Sequence, residues 1–348
     1  MEKIKVAQIG VGHDHALVVM ESVLRQKDIF DFSGYAAGPS EQEFLPAVIA
    51  HFPQAKQREI DDILNDSSLD AIFIETKEQN LVQYALAAIE KGLCVHMDKP
   101  GSQSCEEFAR LTHLAKQKNK VLHLGYMYRY NPLIQDAIAA VKNGKLGEIY
   151  SVEAQMSCEH SFAKRNWLGQ FHGGMMFFLG CHLIDLLLQL QGLPDQIFPY
   201  NTNTQPEILQ AKDLGFAVFQ YKNGISFVKT CAAEPGGFIR RQLVICGSKG
   251  TIEIKPLEEY SSSSSSQIIT RASEVYVHDT AENPWIRCGK ENISAPFGRY
   301  DSMLAHFARY VQGKKKNPYS YEYEETLHRV LLATCGFSID YKKESPTE

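Results

Sequence analysis

The chain has 348 residues, and its 36 Lys and Arg against 41 Asp and Glu give a formal net charge of −5. That length is typical of about two domains, and a composition of 44% hydrophobic and 22% charged residues indicates a folded globular protein rather than a disordered one. Because a net negative chain lacks the basic footprint of nucleic-acid-binding proteins, we expect no nucleic-acid partner.

The sequence also predicts no membrane partner, no secretion and no metal. The longest stretch without a charged residue, 166–184, holds four glycines and two histidines, which are costly in hydrocarbon. The first residues enter a strand pattern without an apolar signal segment, so we expect a cytoplasmic protein. None of the eight cysteines forms a C-x-x-C pair, which predicts reduced thiols and no structural zinc.

Taken in chain order, the predicted elements change character near residue 149. Before it, short apolar runs alternate with helical patterns, which predicts βαβ units around a parallel sheet with strands at 4–9, 32–37, 71–74, 94–97 and 121–124. After it, strands are joined by Gly-containing turns. We therefore predict an α/β domain with a Rossmann-type doubly wound sheet over 1–125. An α+β domain with an open, mostly antiparallel sheet follows over 126–348, and its C-terminal helices dock back on the first domain.

The first strand leads directly into a candidate dinucleotide-binding turn, Gly10-Val11-Gly12. Glycine lets the backbone approach a pyrophosphate, and the following helix N-terminus supplies donors. His15 stands where a third glycine is expected, so a plain strand-to-helix turn is the alternative. Gly38-Pro39-Ser40 occupies the place of the acidic residue that would hold the ribose, which favours NADP over NAD without excluding either.

His13, Asp14 and His15 have the side chains of metal ligands. Adjacent residues at a helix start point in different directions, and spacing alone shows no cysteine or carboxylate cluster that would complete a site. We therefore predict no metal site.

Asp98-Lys99-Pro100 follows the fourth strand directly. A lysine at the carboxyl end of a sheet strand lies on the crevice side of a doubly wound fold, so its ammonium can reach a substrate hydroxyl. A solvated lysine at a strand end is the alternative.

Further motifs follow along nearly the whole chain. Together with the Gly10 turn and Asp98-Lys99-Pro100, they are 129–132, Leu146-Gly147-Glu148, Trp167, Gly173-Gly174 leading to His182 and Asp185, and 247–251. In order and spacing, these motifs resemble the Gfo/Idh/MocA oxidoreductases, the family of glucose–fructose oxidoreductase and inositol dehydrogenase. The resemblance implies a Rossmann domain, a C-terminal open sheet that commonly forms the oligomer interface, and NAD(P)-dependent redox chemistry at a sugar or cyclitol carbinol.

The resemblance also implies roles for individual residues. Lys99 matches the lysine that contacts the reacting hydroxyl, and His182 matches the general acid/base, although a buried histidine capping its helix is the alternative. The expected cofactor contacts are Gly10, Val11, Gly12, His13, Ser40, Thr76, Asp98 and Lys99, and the expected substrate contacts are Tyr126, Arg165 and Trp167.

One position departs from the family pattern. The family usually places an aspartate four residues before the histidine, and here that residue is Phe178. Phenylalanine offers only an apolar face and would disfavour a charged imidazolium. Asp185, Tyr126 and Tyr128 are the candidate substitutes.

We therefore expect an NAD(P)-dependent oxidoreductase of a small polyhydroxy substrate, assembled as a homodimer or homotetramer. Two alternatives stay open. A non-catalytic NAD(P)-binding sensor would keep the fold and lose the chemistry, and a redox-neutral glycosidase would restore its bound nicotinamide in each turnover.

Overall fold

A computed structural model describes residues 2–262, 266–281, 285 and 288–342 of the chain. The chain forms two compact units: the first contains the described residues of 1–127 and 300–328, and the second those of 128–299 and 329–348. Whereas the sequence-based division has a single boundary after residue 125, packing adds the segment 300–328 to the first unit.

The first unit is built on a parallel sheet of five strands in the order β2-β1-β3-β4-β5. The chain runs outward from β1 to β2 and then returns across β1 to β3, so the direction of winding reverses between β1 and β3. In open α/β sheets such a reversal creates a crevice at the carboxyl ends of the strands. The predicted Rossmann-type sheet is confirmed, with strands β1 Ile4–Ile9, β2 Phe30–Ala36, β3 Ala71–Ile74, β4 Cys94–Met97 and β5 Leu122–Leu124.

Helices surround this sheet, and one of them comes from the far end of the chain. Asp301, at the start of that late helix, accepts hydrogen bonds from Ser22 (2.6 Å) and Arg25 (2.5 Å). Its Phe307 stacks on His123 of β5 at 5.3 Å between ring centroids. These contacts explain why 300–328 belongs to the first unit. The helices up to β5 are α1 Ala16–Arg25, α2 Leu45–His51, α3 Ile60–Leu64, α4 Leu81–Glu90 and α5 Cys105–Gln117, and the late helices are α9 Asp301–Val311 and α10 Tyr321–Thr334, of which 321–328 lies in this unit.

The second unit is built on a mixed sheet of eight strands in the order β15-β14-β11-β10-β6-β9-β8-β7. Among the described strands of this sheet, only β6 and β9 pair in parallel, so the predicted mostly antiparallel sheet is confirmed. A small sheet, β12-β13-β16, lies in the same unit. The strands are β6 Ile149–Ser157, β7 Gln196–Pro199, β8 Leu214–Tyr221, β9 Gly224–Cys231, β10 Gln242–Gly247, β11 Gly250–Ile254, β12 Glu259–Tyr260, β13 Gln267–Ile269, β14 Arg271–Tyr276, β15 Lys290–Ile293 and β16 Phe297–Gly298.

Three α-helices of the second unit are α6 Pro132–Lys142, α7 Phe162–Trp167 and α8 Cys181–Gln191. Asn131 caps α6 by accepting the N–H groups of Leu133 and Ile134, as its place before Pro132 favours. A π-helical turn, Met176–Gly180, leads directly into α8. Among the described residues, no helix has the length and apolar character needed to cross a bilayer.

Candidate functional site

The Gly10 turn follows the carboxyl end of β1 and packs closely against the residues that follow β3. Gly10 has φ +99°, and a Cβ there would lie 2.3 Å from the backbone nitrogen of Thr76, so only glycine fits. A Cβ on Gly12 would lie 2.7 Å from Oε1 of Glu41. The space in front of the second glycine is therefore occupied by a carboxylate of the chain itself.

Glu41 is fully buried in the 3₁₀-helix Pro39–Phe44, next to the exposed Ser40. Its carboxylate accepts the backbone N–H groups of Val11 (3.0 Å), Gly38 (3.0 Å) and Lys77 (2.7 Å). Three N–H groups that converge on one carboxylate form a cradle for an oxyanion. The donor set therefore fits a phosphate or ribose oxygen of NAD(P), with Glu41 standing in for it.

A cluster of histidines and acids lies at the carboxyl ends of β1, β3 and β4. We call it the crevice cluster, and it consists of His13, His15, Glu75, Glu78 and Asp98. Oδ2 of Asp98 lies 2.9 Å from Nδ1 of His15 and 3.4 Å from Nδ1 of His13. Nδ1 of His13 lies 3.8 Å from Oε2 of Glu75, and its Nε2 lies 3.7 Å from Oε1 of Glu78. The sheet topology thus brings together side chains that are far apart in sequence.

Burial controls the charges of this cluster. It lowers the pKa of His13 to about 3, which makes the imidazole neutral. Burial, together with the negative charge of Asp98, raises the pKa of Glu75 well above its ordinary value. Burial acts in the same direction on Asp98, but it is outweighed by the positive charge that His13 and His15 would carry when protonated, by the hydrogen bond from His15 and by the charge of Lys99, which hold the pKa of Asp98 well below its ordinary value.

The expectation that His13 and His15 point in different directions is wrong. Helix α1 begins only at Ala16, so both histidines lie in the turn before it. Their ring centroids are 4.8 Å apart, and both rings approach Asp98. Carboxylates do complete this cluster, although they come from later strands and sequence spacing could not show them.

Lys99 is held firmly at the end of β4. It is 1% exposed; its N–H donates to Oδ1 of Asp98 (2.6 Å), and its C=O accepts from Nε2 of His13 (3.1 Å). Tyr126, another predicted contact, is buried just after β5 in the same unit. All of the predicted cofactor residues therefore lie in the first unit, around the Gly10 turn and the ends of β2, β3 and β4.

His182 belongs to the second unit, where it is the second residue of α8 and 1% exposed. Its ring meets the ring of Tyr128 edge-on at 5.2 Å. The Tyr128 hydroxyl donates to Glu258 (2.6 Å), and burial together with the Glu258 charge raises the pKa of Tyr128 to about 12. Tyr128 is thus positioned to orient the imidazole, and its hydroxyl proton is firmly held.

An aromatic platform surrounds the position that departs from the family pattern. The ring of Phe178 meets that of Trp167 at 5.4 Å, and the Lys164 ammonium lies 3.5 Å above the centroid of Trp167. The neighbouring Arg165 donates to Asp213 (2.7 Å) and is 9% exposed. Of the predicted substrate residues in this unit, Trp167 offers a half-buried face, whereas the guanidinium of Arg165 is bound within the protein.

Asp185, a candidate substitute for the missing aspartate, is bound by Arg129. The guanidinium of Arg129 donates to both carboxylate oxygens, at 3.0 and 2.8 Å, and both residues are buried. This pairing makes Asp185 a structural residue of α8.

Comparison with known proteins agrees with this arrangement. Residues 4–126 match a model described as "Oxidoreductase family, NAD-binding Rossmann fold", and residues 134–253 match the "GFO/IDH/MocA C-terminal domain". The uncharacterized oxidoreductase YhhX of Escherichia coli (strain K12) is 26% identical over 194 residues, which are 56% of this chain and 55% of that protein. The scyllo-inositol 2-dehydrogenase (NADP(+)) IolW of Bacillus subtilis (strain 168) is 24% identical over 200 residues, 57% of this chain and 54% of that protein.

The matched part therefore spans about half the length of these curated relatives. The solved structure of a levoglucosan dehydrogenase in complex with NADH and levoglucosan superimposes with a TM-score of 0.78 at 16% identity, covering 96% of this chain and 98% of that one. This last likeness shows a shared fold. Because models of both family domains match in order along the sequence, this chain belongs to the Gfo/Idh/MocA family of oxidoreductases.

Proposed function

We propose that the protein is an NAD(P)-dependent oxidoreductase that transfers a hydride between nicotinamide and a carbinol carbon of a sugar, cyclitol or related polyhydroxy molecule. The observation that carries the proposal is Lys99, buried at the carboxyl end of β4 on the crevice side of a sheet whose family binds NAD. The activities named for IolW and for the levoglucosan dehydrogenase support the substrate class. A homodimer or homotetramer is part of the proposal, and sedimentation velocity tests it.

In this proposal NAD(P), when bound, supplies or accepts the hydride. The Gly10 turn and its N–H donors hold the phosphates and ribose, which requires Glu41 to give up the donors it occupies. The Lys99 ammonium polarises the substrate oxygen and stabilises its developing negative charge. His182 takes up the hydroxyl proton, for which a neutral imidazole is suited. Trp167 and Phe178 offer an apolar face to the substrate ring.

The test begins with the nucleotide. Any nucleotide that copurifies is released by denaturation and identified, and a sugar and polyol panel is then assayed with NAD+ and NADP+. We expect Lys99→Ala and His182→Ala to lower kcat by about 10²–10⁴-fold on the best substrate. Lys142→Ala, at an exposed lysine of α6, is the matched control and should keep full turnover. Unchanged turnover in Lys99→Ala would contradict the assignment.

A second candidate function is a nucleotide sensor without catalysis. It is favoured by Glu41, whose carboxylate already occupies donors that a phosphate would use. Fluorescence titration with NADH and NADPH, run beside the substrate panel, separates the two functions. Nucleotide binding with no turnover on any substrate would support the sensor, and turnover abolished by His182→Ala would support the oxidoreductase.

A further inference from the structure

We propose that the crevice cluster binds a divalent transition-metal ion through His13, His15 and Asp98, with Glu75 as the fourth ligand. All four residues belong to the first unit and follow β1, β3 or β4. The proposal does not rest on the proposed function, because it concerns the binding of a metal in the absence of nucleotide and substrate.

The spacing of the candidate ligand atoms suits a small cation. Zinc–nitrogen and zinc–oxygen bonds of 2.0–2.2 Å place the ligands of a tetrahedral site about 3.3–3.6 Å apart. Oδ2 of Asp98 lies 3.4 Å from Nδ1 of His13 and 2.9 Å from Nδ1 of His15. One ligand atom from each of these three residues lies within 4.8 Å of the others. Small side-chain movements are enough to build the site.

Glu75 provides an independent observation. It is fully buried, and its carboxyl group has another acid, Asp98, as its hydrogen-bond partner. Two buried carboxyl groups in contact are costly to ionise together. Its Oε2 lies 3.8 Å from Nδ1 of His13, on the side where Asp98 approaches the same nitrogen. A cation between these atoms would satisfy Glu75 and remove that cost.

The surrounding hydrogen bonds orient the ligands in the way that metal sites require. Nε2 of His13 donates to the carbonyl of Lys99, so the proton is on Nε2 and the lone pair is on Nδ1. That lone pair accepts the backbone N–H of His15 (3.1 Å), a hydrogen bond that a metal ion on Nδ1 would replace. Histidine ligands usually donate their other N–H to a carbonyl or carboxylate in this manner. Oδ1 of Asp98 accepts the N–H of Lys99, which leaves Oδ2 facing both histidines. A metal would replace the proton shared between Nδ1 of His15 and Oδ2 of Asp98.

The charges of the crevice also favour a divalent ion. Glu75, Glu78 and Asp98 are three buried carboxylates, and Lys99 is the lysine whose charge acts on Glu75 and Asp98. Metal ligands are bound in their deprotonated forms, so a divalent cation would balance the remaining negative charge. The side chain of His15 is 13% exposed and gives the ion a path from solvent.

The experiment is an isothermal titration of the full chain with Zn²⁺, after stripping with a chelator and without nucleotide. We expect one ion per chain and, in His15→Ala, an affinity lowered by more than the 10–100-fold typical of an outer-shell partner. His51→Ala removes an exposed histidine of α2 and should bind Zn²⁺ as the unmodified protein does. Zn²⁺ should also raise the Tm of the unmodified protein and of His51→Ala, but not of His15→Ala.

Two results would overturn the proposal: no uptake by the unmodified protein, or equal uptake by His15→Ala, which would place the ion elsewhere, for example on a cysteine thiol. If circular dichroism shows that His15→Ala is unfolded, Glu75→Gln keeps the shape of the side chain and should still lose affinity. Unchanged affinity in that variant would equally reject the four-ligand site. None of these results depends on turnover, so a failure here leaves the oxidoreductase proposal standing.

Discussion

Each unit of the molecule buries a group of charged side chains, and the two groups differ in how their charges are compensated. In the second unit, the Glu258 carboxylate is bound by Arg241 (2.5 Å), Arg299 (2.6 Å) and the Tyr128 hydroxyl (2.6 Å). In the first unit, the hydrogen-bond partner of Glu75 is Asp98, another acid whose negative charge disfavours the ionisation of Glu75. The buried carboxylate of the second unit is thus neutralised by arginines, whereas the buried carboxylates of the first unit outnumber the cations near them.

The difference distinguishes structural charges from charges available to a ligand. Although burial acts to raise the pKa of Glu258, the charges of Arg299 and Arg241 lower it to about 2. The pKa of Glu75 moves in the opposite direction. A compensated buried group adds specificity to the fold, whereas an uncompensated one costs free energy and is typical of functional sites. The crevice of the first unit is therefore where ligands should be sought.

The largest expected effect comes from breaking a compensated pair. Arg129→Met leaves the buried Asp185 without its guanidinium, and loss of one partner of a buried pair costs about 3–5 kcal/mol of unfolding free energy. Urea denaturation measures the loss. Arg271→Met is the matched control, since its pair with Glu259 at 2.7 Å is solvent-exposed and should cost under about 1 kcal/mol. If both variants lost the same unfolding free energy, buried and exposed ion pairs would contribute equally to stability, contrary to this prediction.

Acid titration of stability tests Glu258 directly. Because its pKa is depressed to about 2 in the folded state, its contribution is present above the unfolded pKa and is lost as pH falls from about 5 towards 2. That contribution is about 3 kcal/mol, from about 1.4 kcal/mol for each pKa unit. In Glu258→Gln, the urea midpoint should fall less between pH 5 and pH 2 than in the unmodified protein. The exposed Glu148→Gln should show the same fall as the unmodified protein. If Glu258→Gln loses as much stability in acid as the unmodified protein, other carboxylates cause that loss.

The same contrast shows what the sequence could and could not predict. Strands β1, β3 and β4 were predicted to the residue, because the hydrophobic pattern of a buried strand is local. The start of α5 is likewise marked by a local pattern, Ser104 with Glu107 three residues later, and the Ser104 hydroxyl accepts the N–H of Glu107.

Long-range contacts within the crevice were not predictable. Glu41 reaches Val11 across 30 positions, and His15 reaches Asp98 across 83. These residues come together because of the order of the strands in the sheet, and the hydrophobic periodicity of the sequence does not predict that order. The spacing of Gly38 and Glu41, in which the glutamate returns to the N–H of Gly38, was the one local signal of that contact.

Glu41→Gln tests whether the Glu41 carboxylate competes with the nucleotide for the backbone N–H groups that it occupies in the first unit. The amide removes the negative charge and presents an NH₂ to at least one backbone donor, so it should hold Val11, Gly38 and Lys77 less well. We expect NADH to bind about tenfold more tightly, which is about 1.4 kcal/mol, in a fluorescence titration. Glu43→Gln removes a more exposed charge on the same loop, paired with Lys77 at 3.0 Å, and should change affinity little.

Weaker binding in Glu41→Gln would reverse the interpretation of this residue. It would mean that the carboxylate accepts the ribose hydroxyls, as the acidic residue after the second strand does in NAD-binding sheets. The variant thus decides between a competitor for the phosphate and a determinant of NAD preference, while Glu43→Gln controls for loss of charge alone.

The smallest expected effect is a gain in stability. Because the pKa of Glu75 is raised in the folded state, the metal-free protein should lose stability as pH rises from the unfolded pKa of Glu towards the folded one. Glu75→Gln removes this ionisation and should raise the urea midpoint at pH 7. The gain should vanish near pH 4, where Glu75 is protonated in both states. A loss of stability at pH 7 would show instead that the Glu75 charge is compensated within the crevice, and the contrast between the two units would fail.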